Sequence, residues 1–130
     1  DWLFVEDHCR GIELVLNKGV IGETYNIGGV NEWQNIDIVH LICELVDGEF
    51  AANKTLAARY PVSPCAKGES AKSLITYVTD RAGHDRRYAV GTEKIQSELG
   101  YLPQETFQTG IAKTIKWYLA NESWWRPLKK

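Results

Sequence analysis

Apolar residues recur along this chain at two spacings, and the places where the spacing breaks divide it into elements. Ile12, Val15 and Leu16 fall at helical intervals behind Glu6 and Asp7, whose charge suits the amide end of a helix, and Gly19 stops the run, so a helix is predicted over residues 7–18. Thr24-Tyr25-Asn26-Ile27, rich in β-formers and closed by Gly28-Gly29, predicts a short strand. Asn35 is a good N-cap for a second helix. Ile36, Val39, Cys43 and Val46 trace one face of it, Ile38, Ile42 and Leu45 widen that face, and Gly48 is expected to close it. Over residues 49–73 the pattern dissolves into Ala, Lys, Gly and Ser with Pro61 and Pro64, which predicts a long loop serving as a lid or contact arm. Leu74-Ile75-Thr76-Tyr77-Val78-Thr79 predicts a second strand. Thr92 can cap a short helix with Ile95 and Leu99 facing inward, ending at Gly100. Thr106 can cap a last one striped by Phe107, Ile111, Ile115 and Tyr118 and backed by Trp117 and Leu119. Those aromatics read as core, whereas Trp124 and Trp125 beyond them suit a partner surface.

Helices outnumber strands in this reading, and two lone strands rarely make a self-sufficient sheet. The expected fold class is α/β, a small, mostly helical domain with a few short strands that rests on something larger. All of residues 1–130 are read as one such domain. The chain has no methionine and opens directly on Asp1-Trp2-Leu3-Phe4-Val5, as a segment of a longer protein would.

With 44% hydrophobic and 25% charged residues the composition is that of an ordinary globular domain, and a net charge of -2 offers no overall attraction to nucleic acid or to an anionic membrane. There is no long apolar stretch and no signal-peptide pattern, so a cytoplasmic protein is expected. Cys9, Cys43 and Cys65 are odd in number and widely spaced, and His8, His40 and His84 are scattered, so neither a disulfide framework nor a metal centre is expected. Gly28-Gly29 continues into Val30-Asn31-Glu32 instead of a GxGxxG turn, so no dinucleotide site is expected within this chain.

The remaining chemistry is concentrated in Asp80-Arg81-Ala82-Gly83-His84-Asp85-Arg86-Arg87-Tyr88, where three guanidiniums, an imidazole and two carboxylates surround a glycine. Arginine offers planar, bidentate donors that fit phosphate, and Gly83 lets the backbone turn sharply. Two readings stand side by side: an anion site, or a solvated cluster in which Asp80 and Asp85 neutralise the arginines. A non-catalytic module binding anions or nucleic acid through Arg81, Arg86 and Arg87 is a further alternative, weakened by the net negative charge. A metal-dependent phosphohydrolase at His84-Asp85 lacks the further histidines it needs.

Asp80 to Tyr88, together with Asp1 to His8, the Glu23 to Gly29 block with Asn31-Glu32 and Asn35-Ile36-Asp37 after it, Lys94-Ile95 with Glu98-Leu99-Gly100, and Gly110-Ile111 with Lys113-Thr114 and Trp117-Tyr118, resembles the C-terminal part of the dTDP-glucose 4,6-dehydratases, nucleotide-sugar-modifying members of the extended short-chain dehydrogenase/reductase superfamily. The resemblance runs nearly end to end, with residues 51–73 longer than in the shortest relatives. It implies a lyase of deoxysugar and cell-surface polysaccharide synthesis that uses bound NAD to oxidise the sugar at C4, eliminate water across C5 and C6 and return the hydride to C6. The catalytic and NAD-binding motifs are expected in an N-terminal Rossmann half, which residues 1–30 would border. This chain is then the substrate-binding portion, without catalytic residues and inactive alone, and the whole enzyme a homodimer. The resemblance further implies that Arg81 and His84 contact the nucleotide or diphosphate of dTDP-glucose or dTDP. Asn35 adds a polar contact at a helix start, where free amides also favour an anion. Arg86 and Arg87 are expected to be tied to Asp80 or Asp85 as scaffolding, with Tyr88 in the core or behind the contacts.

Overall fold

The computed structural model describes residues 1–129. In chain order its elements are α1 (Val5–Lys18), α2 (Asn35–Ala52), α3 (Thr55–Arg59), 3-10 turns at Pro64–Lys67 and Ala71–Leu74, α4 (Glu93–Leu99), α5 (Phe107–Ala120), α6 (Glu122–Trp125) and a 3-10 turn at Arg126–Leu128. No strand occurs among the described residues, which corrects the α/β expectation to a mostly helical one. Residues 23–29 and 75–80 carry strand-forming side chains, but β-propensity expresses fit to a pleated surface, and neither segment has a ladder partner among the described residues.

Contacts divide the chain into two units, Asp1–Trp33 with Gly83–Ile111, and Gln34–Ala82 with the residues from Ala112 onward. In the first unit the centre is Ile95, Leu99 and Tyr101, against which Leu14, Val15, Tyr25 and Ile27 pack. α1 comes close to this centre because residue 11 is glycine: a Cβ there would lie 2.6 Å from Cγ2 of Ile27. Ile12 and Leu16, placed at helical spacing in the sequence, lie on the outer side instead, with Leu16 83% exposed. The inward turn of α1 carries a charge. Asp7 is fully buried and its carboxylate accepts hydrogen bonds from the amides of Gln104 (2.8 Å) and Glu105 (3.0 Å) while pairing with Arg10. A buried carboxylate persists only with such partners, and here they fix the path of the chain from α4 to α5. α4 stops at Gly100 in the left-handed region (φ 71), as expected, and α5 begins with the amide of Thr109 donating to the Thr106 hydroxyl at 3.2 Å.

The second unit is organised by α2. Ile38, Cys43 and Phe50 are its buried residues, and the helix runs through Gly48 to Ala52 instead of stopping there. Phe50, in the extra turn, packs its ring 6.3 Å from that of Tyr60, a gain that outweighs the helix cost of one glycine. The long loop expected over residues 49–73 is largely structured. Asn53 Oδ1 accepts from the Thr55 amide at 3.1 Å and starts α3. Asp47 then gathers the two 3-10 turns, its carboxylate accepting from the Ala71 amide (2.8 Å), the Ser70 hydroxyl (2.6 Å) and the Cys65 thiol (3.1 Å). The end of α5 is closed by Arg59, whose guanidinium donates to the Leu119 carbonyl at 2.7 Å. Of the aromatics expected in the core, Trp117 and Tyr118 are 44% and 49% exposed. Trp125 folds back to donate its indole N–H to the Tyr118 carbonyl at 2.7 Å, and Trp124, 59% exposed, meets Trp117 edge-on at 5.2 Å.

Candidate anion-binding site

Residues 80–88 are exposed throughout, and Gly83 turns the chain at φ 74 with nothing within 4 Å of where a side chain would start. An L-residue adopts that conformation rarely and under constraint, so the bend favours glycine. Asn35, Asp80 and Arg81 belong to the second unit, and His84, Asp85, Arg86, Arg87 and Tyr88 to the first.

In the second unit Asp80 Oδ1 accepts from the backbone amide of Arg81 at 2.8 Å, a local turn that leaves the guanidinium of Arg81 without a partner among the described residues. Asn35 is the first helical residue of α2 and not its cap. The preceding Gln34 takes the cap position without a side-chain hydrogen bond, its carbonyl accepting from the amides of Asp37 (3.1 Å) and Ile38 (3.2 Å). The Asn35 amide group is exposed and not consumed by capping.

In the first unit Arg87 is held, but by a residue other than those expected. Its Nε donates to Glu32 Oε2 at 2.6 Å, and neither Asp80 nor Asp85 pairs with Arg86 or Arg87. Arg86 has no partner among the described residues. The His84 ring lies 6.4 Å from that of Tyr88, so Tyr88 stands beside the imidazole at the surface, 55% exposed, and not in a core. The picture of carboxylates neutralising every arginine of this loop therefore does not hold. Arg81 in the second unit and Arg86 in the first each keep their guanidinium donors available. Glu32 is the residue that reading the loop alone missed. It stands 55 positions from Arg87, and the only local sign of it was an acidic residue following a glycine turn.

Other parts of the surface are accounted for within the chain. A cleft of about 520 Å³ is lined by Lys18, Val20, Glu23, Tyr25, Glu98 and Leu99. Two pairs of polar groups meet there: Tyr25 donates to Glu98 at 2.8 Å, and Lys94 donates to Glu23 at 2.6 Å, which holds the Glu23 carboxyl below its ordinary range and the Lys94 ammonium above its own. None of the expected site residues lines it. Among the described residues no three His, Cys, Asp or Glu side chains gather as a metal site, and no helix is long and apolar enough to cross a membrane. Gly28 and Gly29 do not fit a dinucleotide's pyrophosphate. The space a pyrophosphate would need beside Gly28 and Gly29 is taken by Asp1 Oδ2, 2.4 Å from a Cβ built on Gly28, and by the Trp2 carbonyl, 2.2 Å from one on Gly29. Beyond the glycine pair the chain enters a bend, not a helix N-terminus.

Known proteins resemble this chain along nearly its whole length. A family model described as GDP-mannose 4,6 dehydratase matches residues 1–114. A dTDP-glucose 4,6-dehydratase of Escherichia coli is 52% identical over 126 residues, covering 97% of this chain and 32% of that protein. One of Neisseria meningitidis serogroup B is 51% identical over 127 residues, again 97% of this chain and 32% of the relative. The chain thus spans about a third of the curated relatives it matches. Among solved structures, dTDP-glucose 4,6-dehydratase from Bacillus anthracis in complex with NAD superposes with a TM-score of 0.76 at 43% identity, covering 99% of this chain and 34% of that one. The Streptomyces venezuelae enzyme with NAD and TYD bound gives 0.77 at 38% identity, over 99% of this chain and 33% of that one. The chain belongs to the GDP-mannose 4,6 dehydratase family, and the relatives to which it is similar are dTDP-glucose 4,6-dehydratases.

Proposed function

We propose that this chain is the nucleotide-sugar-binding part of an NAD-dependent dTDP-glucose 4,6-dehydratase, acting in the cytoplasm. In this reading Arg81 and His84 contact the diphosphate or nucleotide, and Asn35 adds a polar contact. The observation that carries it is the 80–88 loop, where Arg81 and Arg86 keep free donors on either side of a left-handed glycine at Gly83, within a chain 52% identical to a dehydratase over 97% of its length. Asp80, Asp85, Arg87 and Tyr88 shape the loop, Arg87 through Glu32.

The chemistry assigned to these residues is holding and aiming. Charge-assisted bonds to a diphosphate fix one end of the substrate, and a fixed end limits where the sugar can lie. Since Gly28 and Gly29 are seated against Asp1 and Trp2, no hydride step is assigned to them. In the proposed whole enzyme that work falls to a Rossmann half, and the assembly is a homodimer. Segment 75–80 supports a larger neighbour, because Tyr77 and Val78, each 83% exposed, carry apolar surface that an adjoining element would cover.

Calorimetric titration of the chain with dTDP, thymidine and single-stranded DNA tests the proposal. Saturable dTDP binding, at least about tenfold weaker for thymidine, is expected, as is a comparable loss for dTDP in Arg81→Ala, since a bond to a charged group contributes roughly 1.5–3 kcal/mol. Equal affinity for dTDP and thymidine would remove the diphosphate assignment. DNA binding that falls steeply with salt, without dTDP binding, would favour the nucleic-acid module instead.

A further inference from the structure

We propose that Asp1 is a positioning residue, which couples a strained turn at Val30 to the end of the arginine loop and so holds His84 to Tyr88 ready for the ligand. Val30 has φ 54, a left-handed conformation that a β-branched residue adopts only under constraint. The constraint is visible on both sides of it. Asp1 Oδ2 accepts from the Gly29 amide and Asp1 Oδ1 from the Asn31 amide, each at 3.0 Å, so one carboxylate clamps the residues flanking Val30. The Trp2 amide donates to the Asn31 carbonyl at 3.1 Å, and Asn31 Nδ2 donates to the Gly29 carbonyl at 2.9 Å. Gly28 and Gly29 are what let residues 1 and 2 come this close, since a side chain on either would collide with them. The pair that looks like half of a nucleotide fingerprint is therefore the seat of this clamp.

The same residue reaches the arginine loop. The Asp1 nitrogen donates to the Tyr88 carbonyl at 2.7 Å. A Cβ on Gly28 would also lie 3.0 Å from Thr92 Cγ2 and 3.4 Å from Val90 Cβ, so the segment leaving the loop packs along the turn. Glu32, two residues past Val30, adds the ion pair to Arg87. Residues 87 and 88 are thus pinned to the clamped turn at two points, through Asp1 and through Glu32. If the carboxylate is lost, Val30 relaxes out of the left-handed region, and both pins shift with the turn.

The consequence for binding rests on the proposed nucleotide-binding role, but the clamp can be tested without ligand. Four versions of the full chain decide it: wild type, Asp1→Asn, Val30→Gly and the double variant. Asn is isosteric yet offers one acceptor where Asp offers two, so it weakens the clamp without opening a cavity. Glycine adopts φ 54 without constraint, so Val30→Gly should make the clamp dispensable. In Asp1→Asn, nitrogen-15 relaxation should show order parameters of Arg87 to Val90 falling from the rigid range, about 0.85, toward about 0.6. Amide exchange at Gly29 and Asn31 should quicken about tenfold, and dTDP affinity should drop severalfold in proportion to the lost binding-competent fraction. The double variant should recover the order parameters and the affinity to near wild type, a rescue that a general loss of stability would not show. Unchanged order parameters in Asp1→Asn, or no recovery in the double variant, would overturn the proposal. Failure of the wild-type chain to bind dTDP would instead overturn the nucleotide-binding reading, while the relaxation data still decide the clamp.

Discussion

Residues 49–74 and residues 75–88 are consecutive in the chain and are ordered by different means. The first stretch, poor in large apolar residues, is drawn into α3 and two 3-10 turns because Asp47 accepts from an amide, a hydroxyl and a thiol within it, and Asn53 starts its helix. The second holds Ile75, Tyr77 and Val78, yet Tyr77 and Val78 are exposed and the stretch has no ladder partner among the described residues. The difference teaches that backbone order depends on the supply of hydrogen-bond partners more closely than on side-chain propensity. A single well-placed carboxylate organises a polar stretch, whereas β-formers organise nothing until a neighbouring strand arrives.

The device is strongest where it is buried, and that sets the largest expected effect. Asp7→Ala removes the acceptor for Gln104 and Glu105 and leaves Arg10 half-buried without its partner. Urea unfolding should show a loss of about 3–5 kcal/mol. A loss under about 1 kcal/mol would mean that carboxylate hubs decorate these loops and do not order them.

Asp47→Ala should cost less, about 2 kcal/mol, because its site is only half-buried, and the damage should be local. Protection of the Ala71 amide should vanish while that of α4 persists. Acid should reproduce this loss. The Ala71 amide, and after it the Ser70 hydroxyl, hold the Asp47 carboxyl below its ordinary value of 3.8. A depressed folded-state value means the stabilisation is complete above 3.8 and disappears as pH falls through the lower, folded value. Protection at Ala71 that already declined between neutral pH and 3.8 would contradict the assignment.

The smallest effect is expected in the second stretch. Val78→Ala should change the stability of the chain by no more than about 0.5 kcal/mol, since Val78 is 83% exposed. A loss near 2 kcal/mol would show that residues 75–80 are packed and would erase the contrast.

Much of the helical framework was legible before any coordinates. The start of α5 at Thr106, the stop of α4 at Gly100 and the inward pair Ile95 and Leu99 stand where spacing and capping place them. Misplacements had both distant and adjacent causes. Gly48 fails to end α2 because Phe50 finds Tyr60, and Asn35 is not a cap because the helix starts one residue earlier, with Gln34 in the cap position. At the candidate site, the sequence displays the arginines, Gly83 and His84, but the pairing of Arg87 depends on Glu32, which no reading of the loop supplies.

By itself, then, the sequence determined that α1, α2, α4 and α5 form, where α4 stops, and the chemistry gathered between Asp80 and Tyr88, because a helix closes its hydrogen bonds within four residues and a motif carries its side chains with it. Only the tertiary structure decided which guanidiniums are engaged, that Asp7, Asp47 and Asp1 act as hubs, and that two strand-like segments form no strand. Those outcomes rest on partners tens of residues apart, and such meetings are fixed by packing rather than by local preference.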